Sequence, residues 1–178
     1  WTPVELFRGV FDGGGHTIAN MHATTDVPNC VGLFGTLRDA TIKNLNMTDA
    51  YVYYLEVNYT LRAGIVAGIA TNTCFYNCDV QGVLSAVAMD GGGIAGNLTA
   101  TADFNDTVFI KDCVNRADIY SVANVGGIVG LTDNEDYNVL VENCTNYGMI
   151  DGGMSGGIIG DGEGFIIRNC KNYGKVGY

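Results

Sequence analysis

The chain has 178 residues, 26 of them glycine and 2 proline, and its 19 acidic against 9 basic side chains leave a net charge of −10. A chain this acidic, with no cluster of Lys and Arg, repels nucleic acid and anionic membrane, because counterion release needs grouped positive charge. The longest apolar run, Ala63 to Ala70, is far too short to span a bilayer, so direct membrane insertion is excluded as well.

The opening segment, residues 1–30, reads as an N-terminal coil. Phe7, Gly9 and Phe11 alternate with Arg8 and Val10, which predicts a strand; Asp12 to Gly15 predict a turn, and Thr17 to Met21 a second strand. No charged leader with an apolar core precedes it, and the chain is read as a mature or excised piece of something longer. Residues 31–178 then repeat one unit of about thirty residues. Its marker is Val31-Gly32-Leu33-Phe34-Gly35, Gly92-Gly93-Ile94-Ala95-Gly96, Gly126-Gly127-Ile128-Val129-Gly130 and Gly156-Gly157-Ile158-Ile159-Gly160. Ala63-Gly64-Ile65-Val66-Ala67-Gly68 reads as a looser copy with one extra residue before its last glycine.

Each unit has three parts. The glycine strand comes first, followed by a loop of variable length (Asn97 to Asp106, Leu131 to Asn138). An Ile-x-Asn-Cys segment is next, and a short strand around Leu84, Ile119, Ile150 or Val176 closes the unit. Long 3.6-residue periodicity is missing and β-branched residues lie between glycines, so helices are not expected. The predicted fold is all-β: a right-handed parallel β-helix, or solenoid, of about six coils with three short strands per coil, forming a single domain over 1–178.

Stacking such coils places like residues in columns. Ile42, Phe75, Ile110, Val141 and Ile167 should point inward, as should Leu45, Cys78, Cys113, Cys144 and Cys170. Because leucine takes the place of cysteine in one copy of the second column, its thiols read as small buried fillers rather than metal ligands. Cys30 and Cys74 lie off the column and are the better disulfide candidates. Asn44, Asn77, Asp112, Asn143 and Asn169 form a polar column suited to left-handed corners and amide-to-amide bonds, with Asn115, Asn146 and Asn172 as a second, partial one.

Several chemical readings compete with these structural ones. Gly91 to Gly96 match Gly-x-Gly-x-x-Gly, but a Thr- and Asp-rich loop follows where a dinucleotide site needs a helix. His16 sits beside a glycine turn with no patterned nucleophile near it. Asp133, Glu135 and Asp136 form an acidic loop, a candidate calcium site and, with Asp103 and Asp106 one coil earlier, the place to look for a polysaccharide-cleaving carboxylate pair. No other cofactor is expected. Tyr51, Tyr53 and Tyr54 are the sharpest surface feature: alternation sets Tyr51 and Tyr53 on one face and Val52 and Tyr54 on the other, offering flat stacking area to a sugar or a protein.

The pattern Phe7-Arg8-Gly9-Val10-Phe11-Asp12-Gly13-Gly14-Gly15-His16-Thr17-Ile18, with the Gly-Gly-Ile-x-Gly and Asn-Cys segments, resembles the GLUG-motif repeats of large bacterial surface proteins. Similar repeats accompany adhesin-like proteins and immunoglobulin-A-specific metallopeptidases. The resemblance implies a non-catalytic module at the bacterial cell surface, serving as stalk, display scaffold or adhesive surface toward a protein or glycan partner. No His-Glu-x-x-His helix is present, so the peptidase activity does not carry over. The alternatives are a carbohydrate-active enzyme fragment and a module that assembles end to end.

Overall fold

The computed structural model describes residues 1–24, 29–54, 60–87, 89–104, 106–134 and 138–177. Strands of the glycine-flanked, β-branched segments all pair in parallel, one 17-stranded sheet beside a 5-stranded one. No helix occurs among the described residues. A single parallel strand leaves its N–H and C=O groups unpaired on both edges, and each further layer satisfies those of the layer before it. The result is a parallel β-solenoid of stacked layers whose strands line up in continuous strips.

Four strips belong to the large sheet. Along the first, Val4, Phe34, Ala67, Ala95, Val129 and Ile159 align layer over layer. The second aligns Phe11, Ile42, Phe75, Ile110, Val141 and Ile167. Ile18, Met47, Val80, Asn115, Asn146 and Asn172 make the third. The fourth runs Ala23, Val52, Leu84, Ile119, Ile150 and, through one bridge, Val176. The pairings thus trace about five turns, and both end layers are thinner than the rest. Ile42, Phe75, Ile110 and Val141 are fully buried, as expected, whereas Ile167 in the last layer is 45% exposed. Three phenyl rings, Phe7, Phe11 and Phe34, close over the other end of the core with centroids 5.3–6.4 Å apart.

The cysteine corner is likewise interior: Leu45 pairs with Cys78, and Cys78, Cys113 and Cys144 are buried. All six cysteines are free thiols. Cys30 lies 3.6 Å from the Thr36 hydroxyl, and Cys74 accepts the Phe109 N–H at 3.4 Å on a different strip, so neither of the two disulfide candidates is in a disulfide. Burial pushes the Cys113 thiol well above its ordinary range.

The glycine motif folds differently from its reading as one strand. Its first half joins the small sheet, a side strip of Cys30–Val31, Arg62–Gly64, Asp90–Gly92, Asn124–Gly126 and Met154–Gly156. Its second half starts the first strip, so the motif is an arch whose two limbs press together at the last glycine. A Cβ on Gly96 would stand 2.6 Å from the Ala63 nitrogen in the side strip, which leaves no room for a side chain. The pairing also corrects the register. Gly64 pairs with Gly92, and Ala67 with Ala95, so the Ala63 copy has no extra residue; Ile65 simply takes the place of the second glycine. The irregular copy is the first: Val31 pairs with Ala63 and Phe34 with Ala67, one residue short.

Candidate functional site

Two amide columns run along the corners of the third strip, and their geometry differs. At the outer corner Asn44, Asn77, Asp112, Asn143 and Asn169 all take positive φ, between 52° and 55°. Short polar side chains tolerate that left-handed turn better than others. Asn77 donates its Nδ2–H to Asn44 Oδ1 at 3.0 Å, Asn44 to Asp12 Oδ1 at 2.9 Å and Asn143 to Asp112 Oδ1 at 3.1 Å. These amides serve the backbone bend and one another.

The second column is interior. Asn115 and Asn146 are wholly buried, and each Nδ2 serves two acceptors: a carbonyl two residues on (Ala117 and Gly148, both 2.9 Å) and the next amide oxygen (Asn146 and Asn172, both 2.7 Å). The space comes from the second glycine of the motif. A Cβ on Gly93, Gly127 or Gly157 would approach the Cγ of Asn115, Asn146 or Asn172 of the same layer to 2.6, 2.5 or 2.4 Å. Where Ile65 replaces that glycine, the corner holds Val80 instead of asparagine.

Outside these columns the surface carries rows of charged and aromatic side chains. On the second strip Asp12 meets Lys43 at 3.2 Å, and Glu142 meets Lys111 at 3.0 Å and Arg168 at 3.4 Å. Hydrogen bonds from Asn44, the Gly14 N–H and Lys43 lower the Asp12 pKa from 3.8 to about 2. Lys111 also lies 4.5 Å above the Phe109 ring. On the third strip Arg116 is held by Asp79 at 3.2 Å and covers the Tyr147 ring at 4.9 Å. Tyr147 in turn stacks on Tyr173, centroids 5.2 Å apart and planes 15° from parallel, with 49% and 63% of the two residues exposed. A shallow cleft of about 240 Å³ continues this face, lined by Thr17, Asn46, Thr48, Asp79, Gln81 and Arg116. Sequence reasoning passed over Tyr147 and Tyr173, although Asn-Tyr-Gly recurs at Asn146 and Asn172.

Of the tyrosines singled out from sequence, Tyr51 and Tyr53 do share the outer face, stacked at 5.5 Å and 16°. His22 rests on Tyr51 with ring centroids 5.7 Å apart. Val52 points inward and Tyr54 packs on the core. His16 is exposed beside Gly14.

Asp133 lines a cleft of about 330 Å³ together with Asp161 and Glu163 of the following layer. Glu135 and Asp136 lie outside the described residues. Among the described residues no group of three or more His, Cys, Asp or Glu side chains is gathered closely enough to hold a metal ion, and no helix is long and apolar enough to cross a membrane.

One buried carboxylate stands apart. Asp90, in the side strip, is fully enclosed; Asn124 donates to its Oδ1 at 2.8 Å and Arg62 reaches its Oδ2 at 3.3 Å. Burial raises its pKa, an effect the Asn124 and Arg62 contacts oppose.

No family model matches the chain. A stretch of 105 residues, 58% of the chain, is 30% identical to part of halomucin from Haloquadratum walsbyi (strain DSM 16790 / HBSQ001), of which it spans 1%. The fold is similar to a crystal structure from Bacteroides ovatus whose protein is provisionally named an immunoglobulin A1 protease. That likeness has a TM-score of 0.70 and 23% identity, and covers 92% of this chain and 50% of the other.

Proposed function

We propose that the chain is a non-catalytic repeat module of an extracellular surface protein, a rigid scaffold that presents an adhesive face to a glycan or protein. The observation that carries this reading is the division of labour among its polar groups. The corner amides are spent on the backbone and on one another, while the exposed rows offer stacked tyrosines beside Asn, Gln, Asp and Arg. Planar amides, guanidinium and phenol rings match the hydroxyls and apolar faces of sugars and the surfaces of proteins. The similarities to a stretch of halomucin and to a provisionally named immunoglobulin A1 protease support a setting at the cell surface, as the GLUG-like pattern does.

A glycan array and a surface-protein pull-down test it with the parent chain, the Tyr147→Ala, Tyr173→Ala pair and the Tyr51→Ala, Tyr53→Ala pair. Binding by the parent that one pair abolishes, with melting unchanged, supports the reading. Release of shorter sugars from a polysaccharide panel, lost on Asp133→Asn or Glu163→Gln, would instead favour a carbohydrate-cleaving module. The Asp133, Asp161 and Glu163 cleft is where that activity, or calcium, would reside.

A further inference from the structure

The cleft on the outer face of the third strip lies where the coil changes its path. From Ile18 to His22 and from Met47 to Tyr51 the chain takes four steps round this corner; from Val80 to Val83 and from Asn115 to Asp118 it takes three. The change falls between the Met47 and Val80 layers, where Thr48 and Asp49 together oppose Gln81. Asn20 and Asp49 take up the added residue with φ of 57° and 52°. A bulge of this kind bends the strand and re-aims its side chains. The cleft opens at this step, with Thr17, Asn46 and Thr48 on the longer path and Asp79, Gln81 and Arg116 on the shorter. Unlike the corner amides, these side chains keep unspent hydrogen-bonding groups. Among the described residues Thr17, Thr48 and Gln81 make no side-chain hydrogen bond, and Asn46 spends one N–H, on the Gly15 carbonyl at 2.9 Å. Arg116 is clamped on two sides: Asp79 receives its Nε–H at 3.2 Å, and the Tyr147 ring, backed by Tyr173, lies 4.9 Å from the guanidinium. Its terminal Nη groups have no acceptor among the described residues.

We propose that this cleft is a subsite for an uncharged glycan, an extended β-linked chain lying along the solenoid axis; the proposal names the partner of the adhesive reading and rests on it. Layers recur about every 4.8 Å, close to the length of one ring in such a chain. Thr17, Asn46 and Asp79, stacked in register, therefore meet successive rings with polar groups at matching heights. Each ring brings hydroxyls that both donate and accept, which suits a wall of hydroxyl, amide, carboxylate and guanidinium groups. The charges of the wall cancel. Asp79 balances Arg116, no other cation lines the cleft among the described residues, and the chain carries −10 overall, so a uronate or sulfated chain gains no attraction. A protein partner calls for an apolar anchor pocket, but Met47, the apolar side chain at the cleft, is 1% exposed and belongs to the core. Tyr147 acts through Arg116 as a positioning residue, fixing the guanidinium so that its free N–H groups are set before a sugar arrives.

Calorimetry tests this with β-linked oligosaccharides of glucose, mannose, xylose and N-acetylglucosamine, and with an oligogalacturonate as the anionic counterpart. At least one neutral oligosaccharide is expected to bind the parent chain, with an affinity that salt leaves unchanged. Gln81→Ala should weaken that binding about five- to tenfold, and Tyr147→Leu at least as much. Tyr147→Phe, which keeps a ring against Arg116, should bind like the parent, and all three variants should melt with it. Binding of the oligogalacturonate alone, or neutral binding that Gln81→Ala and Tyr147→Leu both leave unchanged, would overturn the subsite. A parent chain that binds none of these sugars would overturn it too. If that parent still captures a surface protein, and a tyrosine pair abolishes the capture, the adhesive reading stands while the glycan subsite falls.

Discussion

The third strip is two different structures built on one backbone path. In its N-terminal half the inner corner is filled by Ile18, Met47 and Val80; in its C-terminal half it holds Asn115, Asn146 and Asn172. Hydrocarbon fills a corner without direction and accepts any side chain of similar volume. An amide ladder demands an oxygen at a set height to receive each donated N–H, and a glycine beside each amide. The inner corner of the first half is filled by packing alone, that of the second also by side-chain hydrogen bonds that cannot be left half-made.

The largest expected effect comes from forcing one half to behave like the other. Asn146→Leu orphans the Asn115 amide and the Gly148 carbonyl and drives a branched side chain toward Gly127; a loss of about 3–5 kcal/mol is expected in urea unfolding. Met47→Leu in the apolar half should cost less than about 1.5 kcal/mol. Comparable losses from the two substitutions would erase the distinction.

Gly127→Ala comes next. Its Cβ would meet the Gly157 carbonyl at 2.2 Å and the Asn146 amide carbon at 2.5 Å, and a loss of about 2–3 kcal/mol is expected. At the equivalent place in the apolar half, Ile65→Val should cost about 0.5–1.5 kcal/mol.

A smaller effect is set by pH at the N-terminal end of the outer ladder. The folded-state pKa of Asp12 lies below its ordinary 3.8, so its ionised form stabilises the fold above that pH. That contribution is lost as pH falls from about 4 through about 2. Asp12→Asn should flatten this part of a melting-temperature curve, and an unchanged slope would count against the bond to Asn44.

The smallest effect should be none. Reductant should leave melting unchanged, because every cysteine is already a thiol, and a thiol reagent should find Cys74 and Cys170 before the buried Cys78, Cys113 and Cys144.

Much of the solenoid was legible because its signals are local. Alternation at Ile42 or Val141, glycines bracketing branched residues, and an asparagine at each corner recur with a period that outlasts any single loop. The arch was not legible, since one chain segment of five residues gives no sign that its two halves join different sheets. The alignment of Gly64 with Gly92 was misread for a related reason: the branched pair Ile65-Val66 imitates Ile94-Ala95, and only the hydrogen-bonded register separates the two alignments. Tyr147 over Tyr173, and Asp133 beside Asp161 and Glu163, are neighbours across layers rather than along the chain.

What the amino-acid order determined alone was the repeat, the strand content, and which side chains of a strand share a face, because side-chain alternation and turn chemistry act within a few residues. The tertiary structure decided the register between layers, the direction of the amide ladders and the identity of the surface rows. Those depend on where each turn delivers the next strand, and backbone pairing between residues some thirty positions apart settles it.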